Sequence, residues 1–198
     1  MGKGYGPILV GREPVERAAI ADKVIAIPGS HTTAALLLRL YVGDPPIIEV
    51  AFDKIPTVVL EGQADLGLLI HEGQITHPSM GLHKVLDMGR EWERETGLPL
   101  PLGINVMRRD LGEDVHRRLS QALRDSIDYA HANVDEALEY AMRYGRGIDK
   151  ETCRQFVLMY VNDYTKRLGE DGRTALTRLY RMAHDKGLIS AMPPVDPI

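Results

Sequence analysis

With 198 residues, 44% hydrophobic and 26% charged, the chain is long enough to bury a real core, as one domain or two small lobes. A net charge of −4, with basic residues spread along the chain, argues against a nucleic-acid partner. The single cysteine, Cys153, excludes an intramolecular disulfide framework, and no apolar run is long enough for membrane insertion.

In chain order, the first two thirds alternate between strand and helix signals. Pro7 to Val10 reads as a short strand, and Lys23 to Ile27 as a second, closed by Pro28-Gly29-Ser30. Thr32 to Tyr41 carries Ala34, Leu37 and Leu38 at helical spacing. Ile47 to Phe52 is a β-branched strand, and Ile55 to Leu60 suits a helix ending near Gly62. The continuous apolar run that ends at His71 reads as a strand buried on both faces. Lys84 to Met88 and Gly103 to Met107 are further strand candidates, with a short helix at Trp92 to Thr96. Such alternation predicts an α/β fold with a mostly parallel sheet.

The segment Gly97 to Gly103 holds two prolines, cannot be helix interior, and reads as a semi-rigid crossover between two lobes. From Asp110 onward the pattern turns helical. Val115, Leu119, Ala122, Leu123 and Ile127 form one apolar stripe. Further helices are expected over Val134–Met142, Lys150–Val161 and Gly172–Lys186, followed by a loose proline-rich tail, Pro193 to Pro197.

Two places could carry chemistry. In open α/β sheets ligands gather outside the carboxyl ends of strands. His71 stands at such an end and is the candidate general base, because imidazole exchanges protons near neutrality. The competing reading is a histidine satisfied by a backbone carbonyl. Glu72 need not touch it, since adjacent strand side chains point to opposite faces. The second place is Pro28 to Ala34, between a buried strand and a helix. Its small residues, the hydroxyls of Ser30, Thr32 and Thr33, and the unpaired N–H groups of a first helical turn suit a carboxylate, phosphate or polyol. Alternatively, Ser30 or Thr32 is only a helix cap.

Other polar groups point less clearly to function. His71, His77 and His83 recur every six residues with Pro78 between them, a spacing that argues against zinc. Arg108-Arg109-Asp110 could grip an anion or be solvated surface. Tyr160, Asn162 and Tyr164 could line a site or simply pack, and Cys153 reads as a buried structural thiol. No Walker A, dinucleotide-binding or serine-elbow pattern is present.

Taken together, Gly4-Tyr5-Gly6-Pro7-Ile8-Leu9-Val10, the Pro28–Ala34 run, Gly67-Leu68-Leu69-Ile70-His71-Glu72, the Thr96–Gly103 run, Arg108-Arg109-Asp110-Leu111-Gly112 and Tyr160-Val161-Asn162 resemble the 1,4-dihydroxy-6-naphthoate synthase family of the futalosine route to menaquinone. The resemblance covers essentially the whole chain. It implies a type II periplasmic-binding-protein-like fold, with two lobes, a ligand cleft between them and a helical C-terminal portion. It also implies a cytoplasmic lyase that converts cyclic dehypoxanthinyl futalosine to 1,4-dihydroxy-6-naphthoate without metal or organic cofactor. His71 would be the proton acceptor and Thr33 and Ala34 the substrate contacts, with Ser30 and Thr32 beside them.

Residues 1–198 then form one family domain. Residues 20–103 would be an α/β lobe, and residues 1–19 with 104–198 the rest of the other lobe plus the C-terminal helices. The family carries a stretch with a Lys-x-Ser substrate-binding segment ahead of the Gly-Tyr-Gly-Pro motif, and this chain has no counterpart to it. The domain is therefore expected to be N-terminally incomplete, to expose apolar surface and to self-associate through it. A solute-binding or sensor protein of the same fold, or a non-catalytic truncated homologue, are the competing functions.

Overall fold

The computed structural model describes residues 1–144 and 149–196. Its centre is a five-stranded sheet of β1 (Ile8–Gly11), β2 (Ile25–Ile27), β3 (Ile47–Glu49), β4 (Leu66–Leu69) and β5 (His83–Asp87), in the order β3-β2-β4-β1-β5. Strand β2 runs parallel to β3 and β4, but β1 lies antiparallel between β4 and β5. The sheet is therefore mixed rather than mostly parallel. The sequence division sets residues 1–19 with 104–198, whereas β1 sits inside the sheet formed by residues 25–87.

Period-two alternation divides the strand side chains between two cores. Leu9, Ile25, Ile27, Leu66, Leu68 and Leu86 share one cluster with Leu37 and Leu38 of α1 (Thr33–Tyr41) and Trp92 of α4 (Met88–Thr96). Ile8, Val10, Ala26 and Leu69 form the second with Ile55 and Val59 of α2 (Ile55–Leu60). On α2, Ile55 and Val59 press close against β4: a Cβ on Gly67 would lie 2.6 Å from Ile55 Cγ2 and 2.8 Å from Val59 Cγ2. Helix α3 (Gly73–Thr76) is a single turn after His71.

Two expected strands differ. The segment at 47–52 leaves the sheet after Glu49, where the turn that donates Lys54 N–H to the Ala51 carbonyl (2.8 Å) leads into α2. Gly103 to Met107 forms no strand; Ile104 and Val106 stand 48% and 79% exposed, with no neighbouring strand to complete a ladder. The crossover over 97–103 instead pairs Leu100 with Gly2 at the N-terminus, through bonds of 2.8 and 2.6 Å.

Beyond the crossover come α5 (Glu113–Ala132), α6 (Val134–Met142), α7 (Lys150–Tyr160), the single turn α8 (Asp163–Lys166) and α9 (Gly169–Asp185). Helix α9 returns to the main core, burying Ala175 and Leu179 there. The α5 stripe behaves otherwise. Ile127 is buried, but Val115, Leu119 and Leu123 remain 37%, 47% and 40% exposed. Of the expected loose tail, Pro197 lies outside the described residues; Asp196 is held by Arg109 at 2.6 Å.

Candidate active site

The parallel strands β2, β3 and β4 place the loops at 28–33, 50–54 and 70–72 along one edge of the sheet. Because β1 runs the other way and pairs Ile8 with Leu69, the chain entering it brings Tyr5 to the same edge. Gly89 fixes that approach: a Cβ there would lie 2.4 Å from the Tyr5 carbonyl carbon and 2.5 Å from Gly6 N. Ligands collect at such an edge because loops diverge there and helix N-termini face the gap.

His71 occupies the centre of this edge. It is exposed rather than sunk in hydrocarbon, and its backbone φ is +55°, the left-handed region. Among the described residues no other non-glycine has a positive φ. Such a conformation costs about 1–3 kcal/mol and concentrates at functional sites. Strand β4 ends at Leu69, so His71 is the turn between strand and α3 rather than the last strand residue.

Its imidazole packs against two aromatic rings. Phe52, from the β3–α2 turn, has its centroid 4.7 Å away, and Phe156 of α7 stands at 6.0 Å, edge-on. The row continues from Phe156 to Tyr160 at 4.5 Å and from Tyr160 to Tyr5 at 5.5 Å. Gln74 Nε2 donates to the Tyr160 hydroxyl at 2.6 Å, tying α7 to the His71 turn. Burial, with weaker repulsion from Tyr5 and Glu72, outweighs that bond and pushes the Tyr160 hydroxyl up to about 12, so it stays neutral.

The 28–34 loop is only partly free. Ser30 donates both its N–H and its hydroxyl to Glu49, and these bonds hold the Glu49 carboxyl below its usual range. Thr32 caps α1, accepting from Ala35 N at 3.1 Å and donating to the Gly29 carbonyl at 2.8 Å. Both hydroxyls are thus committed within the protein. Thr33 and Ala34 begin the helix, and their N–H groups have no backbone acceptor among the described residues. Ala34 is 3% exposed and packs its side chain into the core.

Other candidates resolve into local structure. Glu72 contributes its carbonyl, which accepts from Ile75 and Thr76 N–H at 2.9 and 3.0 Å. His77 Nδ1 lies 3.1 Å from the Gln74 carbonyl, and burial lowers its pKa. The described residues hold no group of three or more His, Cys, Asp or Glu able to bind a metal. Arg108 is paired with Asp110 at 2.5 Å. Asn162 Nδ2 donates to the Met1 and Met159 carbonyls, at 2.9 and 3.1 Å, and fastens the end of α7 to the N-terminus. Cys153 is buried, and that burial pushes its thiol up.

Sequence reasoning missed Phe52, Phe156 and Gln74. One signal was available: the chain has only two phenylalanines, and both meet His71.

The architecture is that of periplasmic solute-binding proteins. A zinc-bound ligand-binding component of a Staphylococcus aureus import system superposes with a TM-score of 0.62 at 14% identity, covering 98% of this chain and 69% of that one. The alkanesulfonate-binding protein of Xanthomonas axonopodis does so at 0.62 and 9%, covering 98% and 68%. These likenesses define the fold alone. A crystallised protein of Archaeoglobus fulgidus is far more similar, with a TM-score of 0.90 and 49% identity, over 95% of this chain and 70% of that one.

Residues 1–185 match the family model described as menaquinone biosynthesis, and the chain belongs to that family. Two curated relatives are each named 1,4-dihydroxy-6-naphthoate synthase. The Thermus thermophilus protein is 42% identical over 193 residues, and the Streptomyces coelicolor protein 37% over 200. Each alignment covers 98% of this chain and 70% of the relative. Among the described residues, no helix is long and apolar enough to cross a membrane.

Proposed function

We propose that this chain is a cytoplasmic carbon–carbon lyase of menaquinone biosynthesis, converting cyclic dehypoxanthinyl futalosine to 1,4-dihydroxy-6-naphthoate. The observation that carries the reading is His71: an exposed, backbone-strained imidazole at the ligand-binding edge of the sheet. It joins a family membership whose named relatives make that naphthoate.

In this reading the substrate's anionic group docks on the Thr33 and Ala34 N–H groups and the Thr33 hydroxyl, at the positive end of α1. Ser30 and Thr32 stand beside them and also shape the loop, through Glu49 and the helix cap. His71 accepts a substrate hydroxyl proton as the adjacent carbon–carbon bond breaks; the carbon bearing that oxygen leaves as a carbonyl fragment, and the bond's electron pair passes into the ring system, whose aromatisation drives the reaction forward.

The test is direct. Purified chain incubated with cyclic dehypoxanthinyl futalosine should release 1,4-dihydroxy-6-naphthoate, followed by chromatography. Tight binding of the substrate without any product would instead favour a solute-binding or sensor role on the same fold.

A further inference from the structure

We propose that Phe52 and Phe156 are positioning residues that hold the His71 imidazole on its working bearing, with α7 fastened to the His71 turn through Gln74 and Tyr160.

A histidine at a solvent-facing turn normally has several open rotamers. Here two rings from separate parts of the fold restrict it. Phe52 reaches it from the β3–α2 turn at 4.7 Å, and Phe156 from α7 at 6.0 Å. The ring planes are inclined by 56° and 61°, so the positive edges of one ring meet the negative faces of another. No hydrogen bond to a described residue fixes either imidazole nitrogen. Aromatic contact can therefore orient this base without using up its chemistry.

The clamp is itself anchored. Phe156 lies against Tyr160 at 4.5 Å, one turn further along α7. Tyr160 accepts from Gln74 at 2.6 Å, and Gln74 N–H donates to the His71 carbonyl at 3.3 Å. Asn162 and Tyr5 each donate to the Met1 carbonyl and to the Met159 carbonyl of α7, and so hold the end of α7 to the N-terminus. The strained φ of His71 is thus opposed from both sides. That is the condition under which strain persists in a folded protein.

The kinetic consequence rests on the lyase reading; the orientation of the ring does not. The experiment records the His71 imidazole C–H resonances by NMR in the intact chain, beside kcat and KM for cyclic dehypoxanthinyl futalosine. Variants are Phe156→Leu, Phe52→Leu, Phe156→Tyr as the conservative rescue, and Tyr160→Phe, which removes only a hydroxyl. In the wild type the neighbouring rings should shift these resonances. They should move back toward free-histidine positions in both leucine variants, partly in Tyr160→Phe, and stay near wild type in Phe156→Tyr. kcat should fall about 10- to 100-fold in the leucine variants with KM little changed.

Resonances unmoved in both leucine variants would overturn the clamp. So would a rise in KM at constant kcat, which would make these rings substrate contacts. A wild type without turnover would refute the lyase reading, and the spectra alone would then decide the clamp.

Discussion

Residues 1–102 and the helical arm α5–α7 bury their side chains very differently. In the first region β1, β2 and β4 alternate between two closed cores, and Leu9, Ile25, Leu37, Leu66, Leu68, Met88 and Trp92 are all fully buried. Among the described residues of the arm, Ile127, Leu138 and Cys153 are the buried apolar ones, while the α5 stripe still faces outward at Val115, Leu119 and Leu123. Apolar residues recur at helical spacing in both. Periodicity determines that a helix forms; what lies opposite determines whether its face is covered. The candidate site draws on both regions: His71 and Phe52 come from turns that follow strands of the sheet, Phe156 and Tyr160 from the arm.

The largest stability effect should come from the sheet region. Trp92→Ala empties a fully buried site between α1, α4 and the strands, and should cost about 3–5 kcal/mol by chemical denaturation. If it costs as little as a surface change, the two regions do not differ in the way described.

Leu119→Ala on the arm sharpens the same contrast. It should cost less than about 0.5 kcal/mol, because the side chain is 47% exposed and gives up little on truncation. The exposed stripe should also show itself in solution. Light scattering should detect association that grows with concentration and weakens in Leu119→Glu; a stable monomer at every concentration would show that the stripe needs no cover.

The smallest effect should be Glu49→Gln. Hydrogen bonds from Ser30 hold this carboxyl below its usual range. Its contribution to stability is thus present above the unfolded carboxyl pKa and is lost as pH falls through the lowered folded value. The small difference between variant and wild type should be seen near neutrality and vanish in acid. A difference that grows in acid would contradict the Ser30–Glu49 pairing.

Much of the fold was legible because local rules and packing agree there. The helix at 55–60 begins with Pro56 at its first turn and ends before Gly62, as those residues dictate. Thr32 supplies the helix cap that was the alternative reading of that residue, and Gly97, at φ +67°, closes α4. The direction of β1 was not legible: four apolar residues pair equally well either way, and only the long-range register to Leu69 and Asp87 decides. The strand expected at 103–107 failed for a related reason, since a β-prone segment makes a strand only beside a partner. At the site, the apolar run ending in His71 and the small-residue loop could be read directly. The phenylalanines could not, because Phe52 and Phe156 lie 104 positions apart in the chain and no local pattern links them.

The central claim is that the His71 imidazole, seated in its left-handed turn, moves the proton. His71→Asn tests it most directly, because asparagine tolerates the same backbone conformation but offers no base. The account predicts that product formation at saturating substrate falls about 10²- to 10⁴-fold while substrate binding and the fold persist. Turnover at the wild-type rate in that variant would contradict it.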